Sequence, residues 1–105
     1  MNLTHQTTLV LHALANGIGH GFDIIDATGL PSGTVYPILR RLEREGLVST
    51  RWEDHEIARE EQRPPRRYYD LSPGGRSILE TARARYPVPR AIQSRVRRLG
   101  LARSS

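Results

Sequence analysis

Cysteine is absent from the 105 residues. Its absence excludes disulfides, thiol redox sensing and cysteine-ligated zinc, and it leaves the redox character of the compartment open. Lysine is absent as well, so all sixteen basic residues are arginine. Arginine suits bidentate contacts to phosphate and guanine better than lysine does. A GC-rich genome produces the same bias, so only the sign of the charge carries weight. No apolar run approaches the ~18 residues of a membrane span. The start Met-Asn-Leu-Thr-His has no basic region ahead of an apolar stretch, so no secretory signal is read there. A cytoplasmic protein with no membrane partner is expected. The four histidines (His5, His12, His20 and His55) are not at metal-ligand spacing, and no acid completes a catalytic triad. No catalytic residue, metal or cofactor is expected, and an enzyme is the weakest class for so short a chain.

The net charge is +5 with a pI near 10.7, and its placement tells more than its total. Residues 1–30 hold Asp23 and Asp26 and no arginine. Residues 53–65 hold five acids against Arg59 and Arg63, whereas 73–105 hold eight arginines against Glu80 alone. The acidic stretch around Glu53-Asp54-His55-Glu56 repels a phosphate backbone, so that part of the chain is expected to point away from DNA.

Along the chain, Thr8–Asn16 reads as a helix stopped by Gly17 and Gly19, and Gly21–Ala27 as a second, ended at Thr28-Gly29. In the third segment Val35, Ile38, Leu39 and Leu42 recur at i, i+3, i+4 and i+7, an apolar stripe for packing. At about 100° per residue the opposite side carries Gly33, Tyr36, Pro37, Arg40 and Arg44, with Thr34 and Arg41 at its border. A short helix, greasy on one side and arginine-rich on the other, following a Gly-containing turn, suits a DNA major groove. A solvated amphipathic surface helix accounts for this window equally well by itself.

After Gly46 the pattern changes. Val48–Trp52 and Arg66–Leu71 read as strands, separated by a polar loop from Glu53 to Pro65. Two strands directly after a helix-turn-helix make a wing, over about residues 48–71. Ser72-Pro73 starts a further helix, with Ser72 as N-cap, in which Ile78, Leu79, Ala82 and Tyr86 form a stripe. Pro87 and Pro89 interrupt it. A last segment, Arg90–Leu99, places Ile92, Val96 and Leu99 on one side, and the tail 102–105 is expected to fray. The fold class expected is α+β, mainly α. It comprises a winged helix-turn-helix over residues 1–72 and a proline-interrupted helical dimerisation segment over 73–105.

Three stretches, Gly19–Ile24, Gly33–Val48 and Arg66–Arg76, together resemble the PadR family of transcriptional regulators, in the family's order and across about residues 8–85. The element Gly-Thr-Val-Tyr-Pro-Ile-Leu-Arg-Arg-Leu-Glu-Arg-Glu-Gly-Leu is the specific one. The resemblance implies a winged helix-turn-helix that binds operator DNA as a homodimer, usually as a repressor. It also implies that a C-terminal helix supplies most of the dimer contact and that some members bind a small-molecule effector between subunits. The C-terminal part here is short, as in a compact branch of the family. Gly74-Gly75 stands where the family often has an acid near the helix start; losing that carboxylate is expected to loosen the helix's first turn.

Each candidate DNA contact has a structural counterpart. Tyr36 binds a phosphate or packs half-buried against the wing. Pro37, with Gly33 one turn earlier, tilts the helix start toward the groove or simply closes the turn. Ser32 and Thr34 hold a phosphate at the helix N-terminus or cap it. Arg40 and Arg44, with Arg41 at the border of their face, reach phosphates or a guanine edge; otherwise Arg40 pairs weakly with Glu43 or near Glu45, and Arg44 is solvated. Arg63, Arg66 and Arg67, around the stiff Pro64-Pro65, touch the backbone or minor groove, or sit on a solvated loop. Trp52, Tyr68 and Tyr69 are expected to form an aromatic core under the wing.

For the dimer contact, Val10, Leu14, Leu79, Ala82, Tyr86, Ile92, Val96 and Leu99 are the apolar surface expected. The overall expectation is sequence-specific binding of double-stranded DNA by a homodimeric repressor at a pseudo-palindromic operator. The rival from another class is a winged-helix interaction module whose arginine surface meets an acidic protein. A third reading has the arginine-rich C-terminus adding DNA affinity.

Overall fold

The computed structural model describes residues 2–104, with side chains as far as Leu101. Its first helix, α1 (His5–Ala15), is the centre of the core, with Thr7, Thr8, Leu9, Val10, Leu11, Ala13 and Leu14 all buried. It begins one turn earlier than the apolar pattern predicts, because Thr4 caps it: Thr7 N–H donates to Thr4 Oγ1 at 3.0 Å. Helix α2 (Gly21–Thr28) is closed by Gly29 in the left-handed conformation at φ 75°. Helix α3 (Ser32–Arg44) follows and buries Val35, Ile38, Leu39 and Leu42, the expected stripe.

Strands β1 (Val48–Trp52) and β2 (Arg67–Leu71) pair antiparallel, from Val48↔Leu71 to Trp52↔Arg67. The free edge of β2 is partly covered by the α1–α2 turn, where Tyr69 N–H donates to Gly19 O at 2.9 Å and His20 bridges to Tyr68. This ties the wing rigidly to the helix-turn-helix. Of the three aromatics expected beneath the wing, only Tyr69 is buried; Tyr68 is half-buried on the opposite face. Trp52 is 68 % exposed. It lies at the end of β1, opposite Arg67, and strand alternation alone could not reveal its exposure.

The polar stretch expected to be a loop contains a further helix, α4 (His55–Glu60). Asp54 caps it by accepting from Glu56 N–H at 2.7 Å, and Ala58 is its one buried residue. With a single inward side chain it leaves no apolar period to read.

Helix α5 (Pro73–Arg85) starts as expected, with Ser72 Oγ accepting from Gly75 N–H at 3.0 Å. The first turn is not loosened by its glycines. Gly75 is buried, and a Cβ there would press into the Leu47 carbonyl and lie 2.8 Å from Leu71 Cδ2. The missing side chain is what lets α5 close onto the start of the wing. Pro87 and Pro89 break the chain, and α6 (Arg90–Ser104) restarts with Ile92 and Gln93 N–H donating to Pro89 O, each at 3.0 Å. The fraying expected for the tail concerns residues whose side chains, and in Ser105 the whole residue, lie outside the described part.

The two C-terminal helices fold back on their own chain, α5 against α1 and α6 against α2. Val10, Leu14, Leu79, Ala82 and Val96, expected at a subunit contact, are buried in the core of the single chain. The physical reason is size. Three short helices and a two-stranded sheet bury too little apolar area by themselves, and the stripes of α5 and α6 complete the same core. Tyr86, Ile92 and Leu99 are only half-buried and keep some accessible surface. His12 and Arg83 join α1 to α5, with Nη2 3.0 Å from Nδ1. Burial, and then the Arg83 charge, hold the His12 imidazole below its ordinary pKa.

Candidate nucleic-acid interface

Helix α3 presents the surface that its sequence pattern implied. Ser32, Gly33, Pro37, Arg40 and Arg44 are exposed, and Thr34 and Tyr36 are half-buried. Pro31 occupies the N-cap position without a side-chain hydrogen bond to the helix, so Ser32 does not act as the cap. Thr34 and Val35 N–H reach Pro31 O at 2.9 and 3.0 Å. The amides of Ser32 and Gly33 precede the helical ladder and stay at the solvent-facing end. Pro37 has no N–H, so the Gly33 carbonyl lacks its usual helical donor, and both residues are exposed. Arg40 and Arg44 stand one turn apart and form no ion pair with any described acid.

Tyr36 packs on a different element from the wing. A Cβ on Gly21 would lie 2.5 Å from Tyr36 Oη and 2.7 Å from its Cε1. The phenol therefore rests on the bare backbone at the start of α2, not on the wing, and sets the distance between the two helices of the motif. Its half-exposed edge remains on the outer side of α3.

Arg41 turns the other way. Its Nη2 donates to Thr7 Oγ1 on α1 at 3.0 Å, and its Nε is buried without a partner. That guanidinium is engaged with α1, where it braces α3 against the core.

The wing arginines are largely neutralised. Arg63 forms a two-point pair with the buried carboxylate of Glu53, and Arg66 N–H adds a bond to the same group at 3.3 Å. Those donors hold the Glu53 carboxyl down to about 2 from its ordinary 4.5, the Arg63 hydrogen bond contributing most. Arg67 reaches Glu43 at 3.0 Å, linking β2 to α3, and Thr50 Oγ1 donates to the same carboxylate at 3.1 Å. Arg51 pairs with Asp70 at 3.0 Å and lies 4.9 Å over the Tyr68 ring. Among the predicted wing contacts, only the half-buried Arg66 has a side chain without an acid among the described residues. Sequence reasoning missed Glu43 and Glu53 as the partners that occupy these arginines. No local spacing could have shown them, since the pairs span 24 and 10 positions.

The Glu53–Arg63 pair has a pH signature. A carboxyl whose pKa is depressed on folding contributes stability that is fully present above about pH 4.5 and lost as pH falls toward about 2. Melting curves followed by the fluorescence of Trp52, next to Glu53 and the single tryptophan, are expected to fall across that window. In Glu53→Gln the fall is expected to be shallower. Identical pH profiles for the two proteins would show that the pair does not hold the wing.

Among the described residues no group of three or more His, Asp or Glu side chains could hold a metal. No helix of the described residues is long and apolar enough to cross a membrane.

Three helices feeding a wing that is pinned back to the α1–α2 turn, with an outward, arginine-bearing third helix, define a winged helix-turn-helix. The chain belongs to the PadR-like family of transcriptional regulators, whose profile matches residues 10–81. A PadR family transcription regulator from Clostridium difficile R20291 is similar in fold at 22 % identity and a TM-score of 0.66, covering 78 % of this chain and 86 % of its own. A PadR-like transcription factor from Bacteroides fragilis is 30 % identical with a TM-score of 0.57, covering 73 % of this chain and 76 % of its own. BpsR of Bordetella bronchiseptica, described as regulated in its DNA binding by 6-hydroxynicotinic acid, shares 22 % identity and a TM-score of 0.58. The overlap covers 98 % of this chain and 80 % of that one. No curated protein matches the chain.

Proposed function

We propose that this protein is a sequence-specific DNA-binding repressor that acts as a homodimer on a pseudo-palindromic operator. Helix α3 enters the major groove. Arg40 and Arg44 meet base edges or phosphates, and the free amides at Ser32 and Gly33, with Thr34, meet the backbone. Gly33 and Pro37 keep the outer side of the first turns low enough for close approach, and the edge of Tyr36 faces the sugar-phosphate chain. The observation that carries this reading is the pair Arg40 and Arg44, exposed on α3 and paired with no acid among the described residues. Membership of a family of transcriptional regulators supports it. The two-fold axis of a dimer sets half-sites about one helical turn apart. Tyr86, Ile92 and Leu99, with the exposed Leu101, are the accessible apolar groups for the subunit contact.

The test is a titration of duplexes carrying inverted repeats from upstream of the protein's own gene, against scrambled duplexes of the same length, over a range of salt. The expected result is tighter binding of one repeat, with log K falling linearly in log salt, and two chains per duplex by light scattering. No discrimination and no salt dependence, with binding to an acidic polypeptide instead, would give the interaction-module reading the advantage.

A further inference from the structure

We infer that α6 is a second phosphate-binding element, which lays Arg95 and Arg98 along the DNA backbone beside the groove that α3 enters. The inference rests on the DNA-binding reading of α3 and extends it to a part of the chain that the family match, residues 10–81, does not reach.

A wing commonly supplies the flanking backbone contact of such a domain, but here all its cations except the half-buried Arg66 are occupied. Arg51, Arg59, Arg63 and Arg67 each face a carboxylate. The exposed pairs among them are weak, worth about 0–1 kcal/mol each, and phosphate could compete for them. Arg63 is different, because leaving would strand the buried Glu53 carboxylate. Beyond β1 the chain also carries Glu53, Asp54, Glu56, Glu60 and Glu61, which repel a phosphate backbone.

Helix α6 offers the opposite. It packs on α2, and its phase is set by the inward Val96 with Ile92 and Leu99 beside it. That phase sends Arg95 to the end of α2: its Nη1 donates to Asp26 O at 3.4 Å and lies 3.7 Å from where a Cβ on Gly29 would sit. Asp26 and Gly29 lead directly into α3, whose first residue is Ser32. Arg95 therefore stands at the α2–α3 turn, close to the uncapped, electropositive start of α3. A guanidinium has five N–H donors, and one long bond leaves most of them for a ligand. Arg98, three residues on, shares that flank of the helix, is exposed, and has no partner among the described residues. After Glu80 the chain holds no acid at all; of the two acids on α2, against which α6 packs, Asp23 lines the cleft with Arg51, Arg66 and Tyr68, and Asp26 lies at the Arg95 end. Two guanidinium groups on a helix edge beside a free helix N-terminus match successive phosphates of one strand, without reading sequence.

The experiment uses the full chain, a mixed-sequence duplex of about two helical turns, and fluorescence anisotropy across a salt range. Arg98→Glu and the double variant Arg95→Gln with Arg98→Gln are compared with the wild type and with Arg40→Ala plus Arg44→Ala. Each phosphate contact contributes about 0.9 to the slope of log K against log salt, so the double glutamine variant is expected to lose roughly 1.8 of slope. Arg98→Glu, at an exposed site, is expected to keep the wild-type melting temperature and bind at least tenfold more weakly at low salt. Unchanged affinity and slope in both α6 variants, while the α3 variant loses binding, would overturn this inference and leave the reading of α3 standing. Weaker binding that comes only from loss of the dimer in the α6 variants would show that Arg95 and Arg98 act on the subunit contact and not on phosphate, and would overturn it as well. A wild type without salt-dependent duplex binding would remove the α3 reading first. If the Arg95 change disturbs folding through the Asp26 carbonyl, Arg98→Glu alone decides.

Discussion

Replacing Arg40 and Arg44 together by alanine is expected to weaken binding to the operator by about 10²-fold or more. Each arginine contact to a base edge or phosphate is worth about 1–3 kcal/mol, and about 1.4 kcal/mol is tenfold in Kd. Neither arginine supports the fold, since both are exposed and form no ion pair among the described residues, so the melting temperature should hold. The salt dependence separates the two possible roles. If both groups reach phosphates, the slope of log K against log salt drops by roughly 1.8. If both read guanine edges, the slope stays and discrimination against a scrambled duplex collapses. Wild-type binding by the double variant would remove α3 as the recognition element. Arg41→Ala is the contrasting control: its guanidinium is bound to Thr7 and partly buried, so it should lower stability more than it lowers DNA contact.

Gly75→Ala is expected to destabilise the fold by about 1–3 kcal/mol, the range for forcing an extra carbon into a packed site. The added Cβ meets the backbone carbonyl of Leu47 and Leu71 Cδ2 at 2.8 Å. Backbone cannot rotate away as a side chain can, so α5 must lift from the junction of α3 and the wing. Its neighbour supplies the control. At Gly74 the nearest atoms to a new Cβ are Leu47 Cδ2 at 3.6 Å and Ser72 Oγ at 3.7 Å, ordinary contacts. Gly74→Ala also removes backbone freedom from the unfolded chain, so it is expected to be neutral or to stabilise by about 0.4–1 kcal/mol. Chemical denaturation of the two variants checks both signs at once. Equal effects would show that the close approach to Leu47 does not constrain α5.

This glycine pair shows where local reasoning stops. Read in sequence, Gly74-Gly75 is a lost capping carboxylate. In the structure it is a contact with residue 47, which no window around residue 75 contains. Periodicity located α3 and its stripe, because burial on one side of a helix imprints a repeat that short-range geometry dictates. The strands, and the Ser72-Pro73 start of α5, were legible for the same local reason. Helix α4 was not, because six residues with one buried alanine carry no repeat. Trp52 was misplaced in the core because strand alternation gives a face but not how far along the strand the core extends.

Apart from α4, the amino-acid sequence alone determined the local elements, the family pattern and the face of α3 that carries Arg40 and Arg44. Tertiary structure decided which arginines remain free. It paired Arg63 with Glu53 and Arg67 with Glu43, drew Arg41 onto α1, and brought Arg95 to the α2–α3 turn across 69 positions of sequence. It also turned Val10, Leu14, Leu79, Ala82 and Val96 into one chain's core. The reason is common to all of these. A side chain's type fixes what it can bind, but its partner is whichever group the packed chain brings within about 3 Å, and that distance is set by contacts remote in sequence.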